Sequence, residues 1–600
     1  MIPFAAVLFL IGLFSASGTW QFFPQVKIFF LFVQMGIVTC YFVSRKQYRA
    51  SLNLWGTVIF LWILSMTVPF LAVESGTLLN YTDATMEIST PLYLFMTCLT
   101  AAWLLPEKWR MATRIACVCF MVIYTLIQFF YIGYFAITHS LLSVNMMIAV
   151  AQTNFREALG YLQLNVPYGG LAAGAAVLFA MGWMVFYMSR FSFSGPRISG
   201  RTQIILVLLL GMNCLLAESS AAGTRIAQVY SDTKVTLQSF GEYQKIVENR
   251  KHMSIADPHM LQQLKKDAPD GVYILIIGES LARDHMNVYG YPRDDTPFQT
   301  QAEKDGHYAF FNNVYSSYTQ TVQSLTYALT EKNQYNSIPL TDAYSIIDMA
   351  RAAGFKTTWI SNQSRYGIWD TPIGAIGSAC DEQHWINQNV GTMVTTSEYD
   401  GALVPYLKQA DPSNRRQLIV IHLMGSHVNY WDRYPASERH FGTEEEKSAE
   451  PEQWMTDEYD NSVLYNDSVI QSIMDTAVNT LHADGVIYFS DHAEQVTAHP
   501  GHNADQFNFT MVRIPMWIYL SDQYRQEQVP LAERLRQRAN TPFTNDMIYD
   551  TLLGIMGIKA SHYDPSADLS GTAYDKKASD LTTMYGTIPI TQDPRLFSAE

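Results

Sequence analysis

Three apolar runs in this 600-residue chain stop on side chains that bind metals or move protons. "GVYILIIGE" ends on Glu279, "QLIVIHLMGSH" reaches His427, and "GVIYFSDH" ends on Asp491 and His492. A continuous apolar run bounded by a turn signal reads as a strand buried on both faces. Parallel strands of an α/β sheet finish at one common edge, where ligands collect, so residues far apart in sequence meet there. Two carboxylates and a neutral imidazole form a mixed oxygen and nitrogen donor set that suits Zn²⁺ and leaves a coordination position open. Taken singly, each has a plain reading, Glu279 as a cap or surface residue and Asp491-His492 as a turn. Their shared position at strand ends is what points to metal chemistry.

A fourth segment, "NNVYSSYTQTVQSLTYALT", is dense in hydroxyls and becomes apolar at helical spacing from Val322. Hydroxyls at a helix start are normally caps. A threonine there is also placed to act as a nucleophile, because the helix dipole favours anions and a bound metal lowers oxygen pKa values, from 15.7 to about 7 for zinc-bound water.

The elements that must hold these groups alternate after Asp270. The amphipathic "DAYSIIDMARAAGF" leads into the strand "KTTWIS", and the helix "NSVLYNDSVIQSIMDTAVNTL" lies between the second and third metal-type strand ends. "RIPMWIYLS" closes the series. The pattern predicts an α/β domain with a largely parallel central sheet.

The hydrophobic content of 48% is concentrated in the first third of the chain. A membrane helix needs about 20 mainly apolar residues. Seven stretches qualify, at about residues 2–17, 25–43, 53–73, 90–105, 112–137, 168–189 and 202–217. Arg45, Lys46 and Arg49 follow the second; Lys108, Arg110 and Arg114 follow the fourth; Arg190, Arg197 and Arg201 follow the sixth. If every stretch crosses, these basic connections share the cytoplasmic side and the C-terminal domain faces away from it. The first stretch lacks a basic start and a clean small-residue cleavage site, so it reads as an anchor rather than a cleaved leader. The expected architecture is an all-α transmembrane domain over residues 1–217, an interfacial linker over 218–270 and a catalytic α/β domain over 271–600.

Five of the six cysteines lie in or beside the apolar stretches, which leaves Cys380 alone in the soluble part and rules out an intrachain disulfide there. The formal charge of -14 argues against a nucleic-acid partner.

In order along the chain, "IIGES…YGYPRDDTP", "NNVYSSYTQTVQSLT", "HLMGSHVNYWDRYP", "YDNSVLYNDSVI" and "YFSDHAEQV" resemble the successive blocks of the bacterial phosphoethanolamine transferases, membrane-anchored members of the alkaline phosphatase/sulfatase superfamily. In the membrane half, "NMMIAVAQTNFREAL" is similar to that family's segment for the lipid donor. The resemblance implies that Thr321 is the nucleophile, with Thr319 as the alternative, and that Glu279, Thr321, Asp491 and His492 hold one Zn²⁺, with room for a second. It implies further that His427 faces the phosphoryl group, that His502, or else His499, joins it, and that Thr153 and Glu157 meet the ethanolamine headgroup. Near "SNQSRYG" a lysine of some relatives is replaced, and the resemblance leaves Arg365 to supply the positive charge. The implied partners are phosphatidylethanolamine, an envelope glycan and the bilayer of the bacterial inner membrane, with the catalytic domain of a monomer in the periplasm.

The chain also departs from that family. Ser317 and Tyr327 occupy positions that many relatives bridge by a disulfide, Ala493 replaces the expected glycine, Ala149 replaces an asparagine, and seven spans exceed the usual five. Alternatives within the superfamily are a glycerol-phosphate transferase or a phosphodiesterase. A sulfatase needs a Cys/Ser-x-Pro/Ala-x-Arg pattern that "SSYTQTVQSLT" lacks. An inactive zinc-stabilised module that binds lipid is the alternative from another class.

Overall fold

The structure is a computed structural model. It describes residues 24–596 apart from 75–80, 153–168, most of 171–198, 253–268, 364–371, parts of 388–397, 444–449, 498–500 and a few single positions. The chain divides into two units, with the boundary after the membrane half falling between Lys234 and Val235.

In the first unit, four described helices are long and apolar enough to cross a membrane: α1 (Pro24–Ser44), α2 (Tyr48–Glu74), the Met111–Thr138 part of α4 (Glu107–Thr138) and α5 (Gly200–Ala222). The expected span at 90–105 falls almost entirely on α3 (Tyr81–Leu104), which begins nine residues earlier and carries Asp83 and Glu87. Glu87 is buried and accepts a hydrogen bond from the Arg225 backbone N–H at 2.9 Å, so its charge is met inside the protein. Gln34 and Asn213 exchange two amide hydrogen bonds in the same interior, 2.9 and 3.2 Å, joining α1 to α5. The expected first span and most of the sixth lie outside the described residues.

The expected linker begins inside regular structure, because α5 continues to Ala222 and α6 (Arg225–His252) follows almost at once. Tyr243 and Val247 of α6 are buried in the core of the second unit.

That core surrounds a seven-stranded sheet built from β1 (Gly271–Gly278), β2 (Tyr308–Phe310), β3 (Lys356–Ser361), β4 (Glu382–Trp385), β5 (Arg416–His422), β6 (Gly485–Ser490) and β7 (Met516–Leu520). The spatial order is β2-β7-β6-β1-β5-β3-β4. The five strands from β6 to β4 are parallel, while at one side β7 pairs antiparallel with both of its neighbours, β6 and β2. Every residue of β1 is buried, as its unbroken apolar sequence requires of a central strand covered on both faces. Register then sets the site. Ile277 lies opposite His422 and Gly278 opposite Ser490, so β1, β5 and β6 end level and the next residues along each strand emerge side by side.

Candidate active site and metal centre

Glu279 leaves β1 and Asp491 and His492 leave β6 at the same level, all three fully buried. The turn after β1 is sharp, with Ser280 in the left-handed region at φ 57°. It is held because Asp491 Oδ1 accepts from the backbone N–H groups of Ser280 (3.1 Å) and His492 (2.7 Å). The Tyr459 hydroxyl, from the long helix Pro451–Asn479, donates to Ser280 O at 2.8 Å and accepts from Ala282 N–H at 2.8 Å.

Thr321 opens helix α7 (Thr321–Ala328), whose Val322, Leu325 and Ala328 face the core. The helix is fixed against β6 by Ser324 Oγ, which donates to Asp491 O at 2.6 Å, and by Asn545, whose amide donates to Ser324 Oγ (2.8 Å) and Asp491 O (2.9 Å). The half-buried Thr321 hydroxyl therefore lands in the cluster, donating to Glu279 Oε2 at 3.1 Å and lying 3.3 Å from His492 Nε2. The hydroxyl of Thr319, the alternative nucleophile, is buried without a hydrogen-bond partner.

The donor set suits a cation. His492 Nδ1 donates to the Ala493 carbonyl at 2.9 Å, which aims Nε2 inward, 3.2 Å from Glu279 Oε1 and 3.4 Å from Asp491 Oδ2. A lone pair between two carboxylates demands a positive charge, either a proton on Nε2 or a metal ion. Burial opposes the charged imidazole, yet Asp491 and Glu279 push it up to about 10. Burial and Glu279 together push the Asp491 carboxyl well above the carboxylate range, and Asp491 Oδ2 has no hydrogen-bond partner. Glu279 goes the other way: burial would raise it, but His492 and His427 hold it low. Ligands 2.0 to 2.1 Å from a tetrahedral Zn²⁺ are about 3.3 Å apart, close to the four separations of 3.1 to 3.4 Å seen here. The Nδ1 bond to a backbone carbonyl is the outer contact that metal-binding histidines usually make.

A second layer of imidazole adjoins the first. The His502 ring centroid is 4.3 Å from that of His492 and 6.1 Å from that of His427. His502 Nδ1 lies 2.9 Å from Glu494 Oε2, and Tyr430 donates to Glu494 Oε1 at 3.0 Å. The donors of His492, Glu494 and His502 also stand close enough to share an ion. His422, which ends β5, is pushed down to about 4 by burial and stays neutral in the core. Thr153, Glu157, Arg365 and His499 lie outside the described residues.

Several residues of the site were not foreseen. Gln363, just past β3, donates to Glu279 Oε2 at 3.2 Å and to Leu423 O at 3.1 Å. The strand-end rule that found Glu279 could have found it. Asp400 accepts from the backbone N–H groups of Met424 and Gly425, 2.8 Å each, and so shapes the turn toward His427. Gly425 is itself required, since its φ is 52° and a Cβ there would run into the Glu279 carbonyl. Gly425→Ala is expected to cost about 1–3 kcal/mol of stability through backbone strain and to shift Glu279, read as a lower melting temperature with reduced bound metal.

The sulfatase family model matches residues 272–558. Phosphoethanolamine transferase EptC of Escherichia coli O18:K1:H7 is 31% identical over 305 residues, 49% of this chain and 52% of that protein. Phosphoethanolamine transferase CptA of Salmonella typhimurium is 30% identical over 322 residues, 51% of this chain and 54% of that protein. The chain thus carries a sulfatase domain and is similar over that region to curated phosphoethanolamine transferases. As a phosphoethanolamine transferase relative, it spans about half the length of the curated proteins it matches at 30% identity or above. The integral membrane lipooligosaccharide phosphoethanolamine transferase A of Neisseria meningitidis shares the fold, with a TM-score of 0.56 at 17% identity over 85% of this chain and 97% of that one.

Proposed function

We propose that this phosphoethanolamine transferase relative moves phosphoethanolamine from phosphatidylethanolamine to a hydroxyl or phosphate of an envelope glycan: lipopolysaccharide lipid A or core, or a periplasmic glucan. The transfer passes through an ester on Thr321. The observation that carries this reading is the Thr321 hydroxyl, 3.1 Å from Glu279 and 3.3 Å from His492 within a buried metal-type donor set.

In the first step Thr321 Oγ1 attacks phosphorus, and its proton leaves through the hydrogen bond it donates to Glu279. The bond from phosphorus to the diacylglycerol oxygen breaks, and His427 or His502 protonates the departing alkoxide. In the second step an acceptor hydroxyl gives its proton to the same imidazole and attacks phosphorus; the bond from phosphorus to Thr321 Oγ1 breaks, and Glu279 returns the proton to the threonine oxygen. Glu279, Thr321, Asp491 and His492 would hold a Zn²⁺, which would supply Lewis-acid stabilisation to the oxygens that carry charge. Little covalent help is needed beyond this, since phosphoryl transfer is governed mainly by positioning and electrostatics.

Anchoring explains the apolar helices. A two-tailed donor keeps its phosphorus at headgroup level, and extracting its chains would cost about 0.8 kcal/mol per CH₂. In this reading the chain sits in the inner membrane with its catalytic unit in the periplasm. Thr153 and Glu157 meet the donor headgroup, and Arg365 supplies positive charge.

The test is mass spectrometry of lipopolysaccharide and periplasmic glucans from cells making the intact chain or Thr321→Ala. Phosphoethanolamine is expected on one glycan in the first strain and absent in the second. Identical glycans in both would contradict the proposal.

A further inference from the structure

The end of the second unit folds back on the segment that carries Thr321. Strands β8 (Thr582–Thr583) and β9 (Ile588–Pro589) form a short hairpin whose tip holds three successive residues in the left-handed region: Met584 at φ 53°, Tyr585 at 56° and Gly586 at 86°. Two of these carry side chains, and such a conformation persists only where surrounding contacts over-determine it. Gln334 provides contacts at the base, donating to Thr582 O and accepting from Gly586 N–H, 3.0 Å each.

The remaining contacts converge on both flanks of Thr321. Upstream, Thr583 Oγ1 donates to Ser316 O at 2.7 Å, and Tyr585 N–H donates to Ser317 O at 3.2 Å. Downstream, the Tyr585 hydroxyl donates to Gln323 O at 2.8 Å, inside the first turn of α7. The Tyr585 ring stacks on Tyr327 with centroids 4.2 Å apart and planes at 19°, and packs on Tyr318 at 4.6 Å. Tyr327 is itself covered by Lys332, whose Nζ stands 5.3 Å from the ring centroid. Tyr585, through its backbone N–H, hydroxyl and ring, thus ties the segment entering the nucleophile turn to the helix leaving it. Cys380 is the one cysteine of the soluble part, so no intrachain disulfide performs this task.

We infer that Tyr585 is a positioning residue for the transfer reaction, clamping the two sides of Thr321 so that its hydroxyl is held in line with the phosphorus. The inference rests on the proposed role of Thr321. A displacement of about 1 Å in a reacting group can cost about 10²-fold in rate. The clamp acts on direction of attack rather than on lipid binding, so it should appear in kcat and leave KM alone.

The experiment uses the full chain in detergent micelles containing phosphatidylethanolamine, with lipopolysaccharide added as acceptor so that turnover continues, and measures diacylglycerol release. Tyr585→Ala is expected to lower kcat by about 10- to 100-fold with KM changed by less than about twofold and bound metal unchanged. Tyr585→Phe keeps the stack and removes one hydrogen bond, so it should recover to within about fivefold of the parent. If Tyr585→Ala does not fold, Tyr327→Ala, which removes the other half of the stack, is read in its place with the same expected split. Parental kcat in the alanine variant, or equal damage from Phe and Ala, would overturn the clamp. An inactive Thr321→Ala beside a fully active Tyr585→Ala would overturn the clamp alone. Parental turnover by Thr321→Ala would overturn the nucleophile assignment beneath it.

Discussion

Thr321→Ala is expected to abolish transfer, lowering kcat by about 10³-fold or more, as removal of a covalent nucleophile does. Fold and metal content should survive the change. The side chain is half-buried, and α7 is held by Ser324 and Asn545 rather than by Thr321. Three ligands, Glu279, Asp491 and His492, would still surround the ion. Loss of diacylglycerol release with an unchanged melting temperature and unchanged bound metal is the pattern that separates a nucleophile from a structural threonine. Thr319→Ala serves as the comparison, since the hydroxyl it removes has no hydrogen-bond partner, and it should retain activity.

Metal removal should produce the second large effect, on stability as well as rate. Without a cation the cluster must balance its charge with protons, which is why His492 is pushed up to about 10 and Asp491 lies far above its ordinary range. An ion present at a thousandfold excess over its Kd stabilises the folded state by about 4 kcal/mol, and chelation should remove that amount. Asp491→Asn keeps an oxygen to accept from Ser280 and His492 but loses the ligand charge. Its metal affinity should fall at least about 100-fold, beyond the effect of an outer-layer substitution. Chelator should then shift the melting temperature of the parent strongly and that of Asp491→Asn little, because both perturbations remove the same interaction. Equal shifts in the two proteins would place the ion elsewhere.

The metal-type cluster was legible in the sequence because each member directly follows an unbroken apolar run, and parallel strands must end together. Gln363 obeys the same rule at the end of β3 and was passed over because an amide lacks the charge that drew attention to Glu279. Asp400, Asn545 and Tyr585 were not legible at all. Their partners are Gly425, Asp491 and Ser317, respectively, contacts that only the folded sheet and its loops create. In the membrane half, an apolar window at 90–105 hid a longer helix, because the charge of Glu87 is matched by the Arg225 backbone far along the chain. Hydropathy records transfer from water and is blind to a partner supplied by another helix.

The central claim is that Thr321 carries the phosphoethanolamine group between donor and acceptor. It is tested most directly by incubating the full chain with phosphatidylethanolamine in the absence of acceptor and sequencing its peptides by tandem mass spectrometry. The account predicts a mass increment of one phosphoethanolamine group on Thr321, lost again when acceptor glycan is added. Diacylglycerol release with Thr321 unmodified, or the group found on Thr319, would contradict it.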